Sequence, residues 1–190
     1  MERERYRTGT ACRRLREGLM QLLQHKDLDQ IRVTELCAIS GMNRATFYRH
    51  YSGAEDVLEE MEREIDRGID VIRPLAGNPG EARCYMEALC GYLQGHISAL
   101  RVLIRCRAET VLERHMERVC SGIVQKMAQE QNTCQESFCL EMVSTFLAGG
   151  VCFLLKRWIQ EEPLRTPAQV AEVVADLIRR ESDFRCCGTN

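Results

Sequence analysis

The chain has 190 residues, 45% of them hydrophobic and 28% charged, enough for one domain of moderate size or a small one beside a larger one, with a buried core and a soluble surface. No apolar run approaches the ~18 residues of a membrane span, and the charged start MERERYRTGT lacks the apolar h-region of a secretory leader. No membrane partner is therefore expected, and the expected compartment is the cytoplasm.

The net charge of −2 hides an asymmetry. Residues 1–52 hold 10 Lys+Arg and 6 Asp+Glu, 10 − 6 = +4; the remainder holds 16 and 22, 16 − 22 = −6. A positive end suits a polyanionic partner. The eleven cysteines are odd in number and form no CxxC, and the four histidines show no HxxxH spacing, so no metal site is implied. Cysteines within cytosolic helical patterns act mostly as small apolar residues; Cys186 and Cys187, in a polar tail, are the exception.

Residues 1–7 suggest a loose charged arm in which Arg3, Arg5 and Arg7 are diluted by Glu2 and Glu4. From about 10 to 25, Ala11, Leu15, Leu19, Leu22 and Leu23 recur at helical spacing, which predicts an amphipathic helix. A polar turn, 26–30, leads to the stretch RVTELCAISGMNRATFYRHY, residues 32–51. Val33, Leu36 and Cys37 mark one short helix; Gly41 can take the positive φ of a sharp stop; Asn43 can cap a second helix from Arg44 to Tyr51. Phe47 and Tyr51, four apart, anchor that helix, while Arg44, Ala45, Tyr48 and Arg49 lie on its other side or edge. A helix-turn-helix needs these features: a small residue at the crossing, a glycine turn, buried anchors, and an outer face of basic and hydrogen-bonding groups.

Beyond the motif, Ser52 and Glu55 fit a capping box for a long helix to about Arg73, striped by Val57, Leu58, Met61, Ile65, Ile69 and Ile72. Pro74, Gly77, Pro79 and Gly80 break the chain. Helices are predicted over 81–95, 97–105, 108–131 and 134–160, the last apolar on several faces and therefore buried on several. On the 108–131 helix Glu109, Glu113 and Glu117 suggest surface ion pairs with Arg114 and Arg118. After EEPLRTP a final helix opens with Thr166 as N-cap, Pro167 at N1 and Gln169 completing the box; Val170, Val173, Val174, Leu177 and Ile178 form its stripe, and Arg179 and Arg180 suit its C-terminal dipole. No strand and no repeat is predicted. The fold class is all-α, about nine helices, three in an N-terminal helix-turn-helix domain (1–53) and six in a larger helical domain (54–190).

The 32–57 stretch resembles the DNA-binding motif of the TetR family of bacterial transcription regulators, with Val33, Leu36, Cys37, Gly41, Met42, Thr46, Phe47, Tyr48, His50 and Tyr51 at matching places and Glu55, Asp56 and Val57 continuing the match. Arg32 replaces a usual capping Thr, and Ala54 a usual phosphate-binding Lys. The run from Phe146 through Gly150 and Trp158 to the Thr166-Pro167 cap resembles one subgroup's C-terminal region. The resemblance implies a TetR-like, ligand-responsive repressor that binds a palindromic double-stranded operator as a homodimer.

Arg44 is the candidate base reader, because its guanidinium fork matches the O6 and N7 acceptors of guanine. Thr46, Tyr48 and His50 match family positions that meet phosphates or thymine methyls; Thr34 points to the backbone, and Arg49 joins the set, with packing as the rival role for Tyr48, a place at the core edge for His50 and solvation for Arg49. A small-molecule effector needs apolar walls and a few polar groups, for which Tyr85, Tyr92, His96, His115, Phe146 and Phe153 are candidates. Dimer contacts are expected at Phe146, Gly149, Gly150, Val151, Leu154, Val173 and Leu177. The absence of G-x-S-x-G, P-loop, dinucleotide and HExxH patterns argues against an enzyme and implies no cofactor. The rival reading keeps the helical dimer but makes cysteine oxidation or a protein partner the signal.

Overall fold

The computed structural model describes residues 2–77, 82–106, 111–130, 137–161 and 165–181, without the side chains of 2–9, 127, 130, 137 and 179–181. Glu109, Cys134, Cys186, Cys187 and the side chains of Arg3, Arg5, Arg7, Arg179 and Arg180 thus lie outside the description. Among the described residues there are nine α-helices and no strand: α1 (Glu2–Leu23), α2 (Val33–Ser40), α3 (Arg44–Tyr48), α4 (Ala54–Ile72), α5 (Ala82–Gly95), α6 (Ile97–Cys106), α7 (Val111–Glu130), α8 (Ser137–Gln160) and α9 (Pro167–Glu181).

The chain divides into two compact units. One is built on residues up to Ile65 together with the stretch from Val102; the other on Asp66–Arg101 and the helices from Val111 onward. The division falls within α4, not at residue 53. Ala54, Val57, Leu58, Met61 and Ile65 of α4 are buried, so its first three turns share the first unit's core.

Local chemistry sets the helix ends. At the start of α4, where a Ser52–Glu55 box is expected, Asp56 Oδ2 accepts from both the amide and the hydroxyl of Ser52 at 2.6 Å. One residue further along, the carboxylate curls back over the helix start, and these bonds hold the Asp56 carboxyl below the usual range. At α9 the reciprocal box forms: Gln169 N–H donates to Thr166 Oγ1 (3.3 Å) and Thr166 N–H to Gln169 Oε1 (3.1 Å). Helix α1 covers the arm expected to be loose and starts at Glu2.

In the second unit α7 packs on α8 and α5 on α9. Arg101 donates to the carbonyls of Ile159 (2.7 Å) and Glu161 (3.0 Å), placing a cation at the negative end of α8. Trp158 Nε1 donates to Arg165 O at 2.9 Å and fixes the approach to α9. Glu113 pairs with Lys156 of α8, and Arg118 lies 3.7 Å from Asp66, so these charges join helices. Gly68 is required because a Cβ there would overlap the Tyr92 phenol.

Helix α8 departs from the expectation of burial on several faces. An 18-residue window within its stretch Phe138–Gln160 has a mean hydropathy of 1.9 and a third of that window is buried, so by length and composition alone the helix matches a membrane span. Polar residues such as Glu141 and Ser144 keep the continuous apolar runs short, although the window average stays high. Phe138, Met142, Phe146 and Phe153 form an exposed stripe, with Val173 and Leu177 of α9 exposed as well.

Candidate nucleic-acid interface

The motif forms within the first unit. Helix α2 buries Leu36 and Cys37; the Ser40 hydroxyl, also buried, donates back to Leu36 O at 2.7 Å. Gly41 then turns the chain with φ 67°, a left-handed conformation that glycine adopts without a Cβ penalty, and Met42 N–H closes the helix on Cys37 O at 3.1 Å. Asn43 caps α3 by accepting from Ala45 N–H at 2.8 Å. Phe47 is wholly buried, with the Tyr51 ring 5.5 Å from it. The regular helix ends at Tyr48, and Tyr51 reaches its buried place through the turn in which His50 and Tyr51 amides both donate to Phe47 O.

Arg32, in place of the usual threonine, cannot accept from the first-turn amides because a guanidinium has no acceptor. The start of α2 is held from the other side: Glu35 Oε2 accepts from the Arg32 amide at 3.4 Å, and its Oε1 takes the Lys26 ammonium at 2.7 Å. Lys26 thereby ties the end of the α1 segment to α2 and, as the largest influence, holds the Glu35 carboxyl below its usual range. Gly18 of α1 provides the close approach: a Cβ there would lie 3.0 Å from Ile39 Cγ2 of α2.

These anchors leave one side of the motif outward. Thr34, Arg44, Tyr48, Arg49 and His50 are exposed and Thr46 half-exposed. Tyr48, 53% exposed, presents its ring edge-on to Phe47 at 5.5 Å. The outward groups comprise two guanidiniums, an imidazole, a phenol and two hydroxyls, all able to donate to phosphate or base-edge acceptors. Ala54 is 6% exposed and lines a groove of about 510 Å³ with Lys26, Asp27, Asp29 and Arg105; it is a packed position, not a bare phosphate contact.

The candidate effector residues separate in the second unit. Tyr85 and His115 are buried together, Tyr85 Oη 2.8 Å from His115 Nε2, and His115 Nδ1 is buried without a hydrogen bond. Burial is the main cause that lowers the His115 pKa to about 4. His96 Nδ1 donates to Tyr92 O at 2.9 Å, the carbonyl fixing that tautomer, and the two rings stand 4.3 Å apart. Phe146 and Phe153, at 68% and 65% exposed, do not join either pair; they stand on the outer side of α8, where Phe153 borders a 290 Å³ groove with Glu117, Gly149 and Lys156. Of the expected dimer contacts, Gly149, Gly150, Phe146, Val173 and Leu177 are exposed and Leu154 is partly so, but Val151 is 4% exposed because it faces the unit's own core.

Burial pushes the Cys90, Cys120 and Cys152 thiols up to about 12, and Cys152 lies 3.3 Å from Leu112 O, to which its thiol donates. Cys84 is exposed. Among the described residues no group of three His, Cys, Asp or Glu side chains is placed to hold a metal ion. Sequence inspection missed Gly18, Lys26 and Glu35 as supports of the motif. The pairing of Lys26 with Glu35 carries no periodic signal, since it crosses a turn.

No protein-family model matches the chain, and no curated protein matches it. Solved structures do. A TetR-family regulatory protein from Rhodococcus RHA1 superimposes with a TM-score of 0.64 at 16% identity, over 94% of this chain and 98% of that one. A TetR transcriptional regulator from Streptococcus agalactiae 2603V gives 0.59 at 17%, again over 94% and 98%. Thermus thermophilus FadR, a TetR-family transcriptional repressor in complex with lauroyl-CoA, gives 0.54 at 18% over the same shares. The fold of this chain is the all-α fold of the TetR-family regulators.

Proposed function

We propose that this chain is a sequence-specific DNA-binding transcription regulator that acts as a homodimeric repressor in the cytoplasm and has no enzymatic role. The outward row Thr34, Arg44, Thr46, Tyr48, Arg49 and His50 carries the reading, because it stands on a motif whose opposite side is locked by Leu36, Phe47 and Tyr51. Arg44, in the first turn of α3, has the reach and the fork for guanine in a major groove; Tyr48 and His50 are placed for flanking phosphates. Regulators of the same fold, such as the T. thermophilus repressor, lend weight to this reading.

Dimerisation explains the bare apolar stripe of α8 and α9. Phe138, Met142, Phe146 and Phe153 would be costly in water, and Gly149 and Gly150, both exposed, let a second backbone approach. A protein interface fits this helix better than a membrane, since its other side is committed to the protomer through Cys152, Leu155, Trp158 and Ile159. A two-fold dimer reads an inverted repeat. The signal is a small molecule of unknown identity bound in the second unit, where Tyr85, His115, Tyr92 and His96 offer polar groups. Oxidation is the weaker rival, because the buried thiols are held protonated. Selection of duplexes from a random pool tests the reading: an inverted repeat, bound by two chains, is expected, and recovery of no preferred sequence would reject it.

A further inference from the structure

Where α1, the turn after α3 and α4 meet, one carboxylate has two partners on different elements. Glu60 of α4 accepts from the Tyr51 hydroxyl and lies 3.4 Å from the Arg16 guanidinium of α1. Arg16 also reaches Glu64, one turn further along α4. Cys12 Sγ is 3.7 Å from the same Tyr51 oxygen. All of these groups belong to the first unit, and none is in the outward row. Burial, with Glu60 adding to it, raises the Tyr51 pKa, so the phenol remains a donor.

As an anchor alone, Tyr51, a buried residue, would need only its ring, which packs on Phe47. The hydroxyl adds direction. A charge-assisted hydrogen bond fixes the roll of the segment that ends the reading helix, relative to α4, in a way that ring packing does not. Base contacts need placement to within about 0.5 Å. We propose that Tyr51 and Glu60 are positioning residues for base reading, setting the angle at which Arg44 and Thr46 meet base edges without touching DNA themselves. The inference rests on the DNA-reading function proposed above.

The test compares two duplexes of equal length, one selected by the wild-type chain from a random pool and one unrelated. Binding is measured over a salt series at a temperature where circular dichroism shows every variant folded. Tyr51→Phe keeps the ring and removes the hydroxyl. It should lower affinity for the selected duplex about tenfold, leave the unrelated duplex unchanged, and leave the salt slope unchanged, since no phosphate contact is lost. Glu60→Gln, which still accepts from Tyr51, should keep most of the discrimination, whereas Glu60→Leu should lose it. Wild-type discrimination in Tyr51→Phe, or equal weakening on both duplexes, overturns the inference while leaving DNA reading intact. Should Tyr51→Phe fail to fold, equal discrimination by Glu60→Gln and Glu60→Leu overturns it. A wild-type chain that selects no sequence refutes the DNA-reading function and this inference together.

Discussion

The buried His115 makes a prediction that needs neither DNA nor effector. Its side chain is fully enclosed, its Nε2 is engaged by Tyr85, and burial brings its pKa down from 6.5 to about 4, with Arg118 and Arg73 opposing the proton and Asp70 favouring it. The folded chain therefore excludes a proton that the unfolded chain accepts. Above pH 6.5 neither state binds it, and the full stability is present. Between 6.5 and about 4 the unfolded state gains a proton that the folded state refuses, so stability falls with falling pH; below about 4 the effect levels off. The interval, 6.5 − 4 = 2.5 pH units, at 1.36 kcal/mol per unit, corresponds to about 3 kcal/mol. Urea unfolding at fixed protein concentration across this range measures it, with Tyr85→Phe/His115→Leu as the reference. The double substitution removes the titrating ring and leaves no orphan hydroxyl. Carboxylates titrate in both proteins, so the difference of the two pH profiles isolates His115. The double variant should lose about 3 kcal/mol less than wild type between pH 6.5 and 4. Parallel profiles would show that His115 is not excluded from protonation and would refute the reasoning.

Other outcomes follow from the same geometry. Val173→Arg or Leu177→Arg, at positions 57% and 41% exposed in the protomer, should spare folding but cost the dimer several kcal/mol, read by sedimentation as dissociation at micromolar concentration. Arg44→Ala should cost about 1–3 kcal/mol on the selected duplex and relax preference at one base pair per half-site, seen by repeating the selection. Lys26→Met should allow the Glu35 carboxyl to titrate nearer its usual value, measurable by NMR; at present its stabilising effect is complete above the ordinary carboxylate range and is lost as pH falls through the lowered value. Peroxide should spare Cys90, Cys120 and Cys152, read by mass spectrometry of their peptides, because thiols raised to about 12 supply almost no thiolate at neutral pH.

Periodicity made the helices legible. The stripe Leu15, Leu19 and Leu23 and the stripe Val57, Leu58, Met61, Ile65 and Ile69 are buried as their spacing predicts. Special-purpose residues were legible too: Gly41 has the positive φ, Asn43 and Thr166 cap, and Phe47 and Tyr51 anchor. Facing direction on an all-round apolar helix was not. Nothing in the composition of α8 distinguishes Phe146 and Phe153, which point outward, from Val151 and Leu155, which point inward. Contacts between distant segments were equally hidden: Tyr85 meets His115, Arg16 meets Glu60 and Gly68 meets Tyr92 only once the helices are packed. The bonds from Ser52 to Asp56 were hidden at short range too, because Asp56 stands outside the capping-box spacing.

Hydroxyl-radical footprinting of the wild-type chain on its selected duplex, with stoichiometry read on the same sample, tests the central claim most directly. The account predicts two chains per duplex and two protected patches related by a dyad, centred about one helical turn or a multiple apart. Protection that spreads evenly along any duplex, or a single patch bound by one chain, would contradict it.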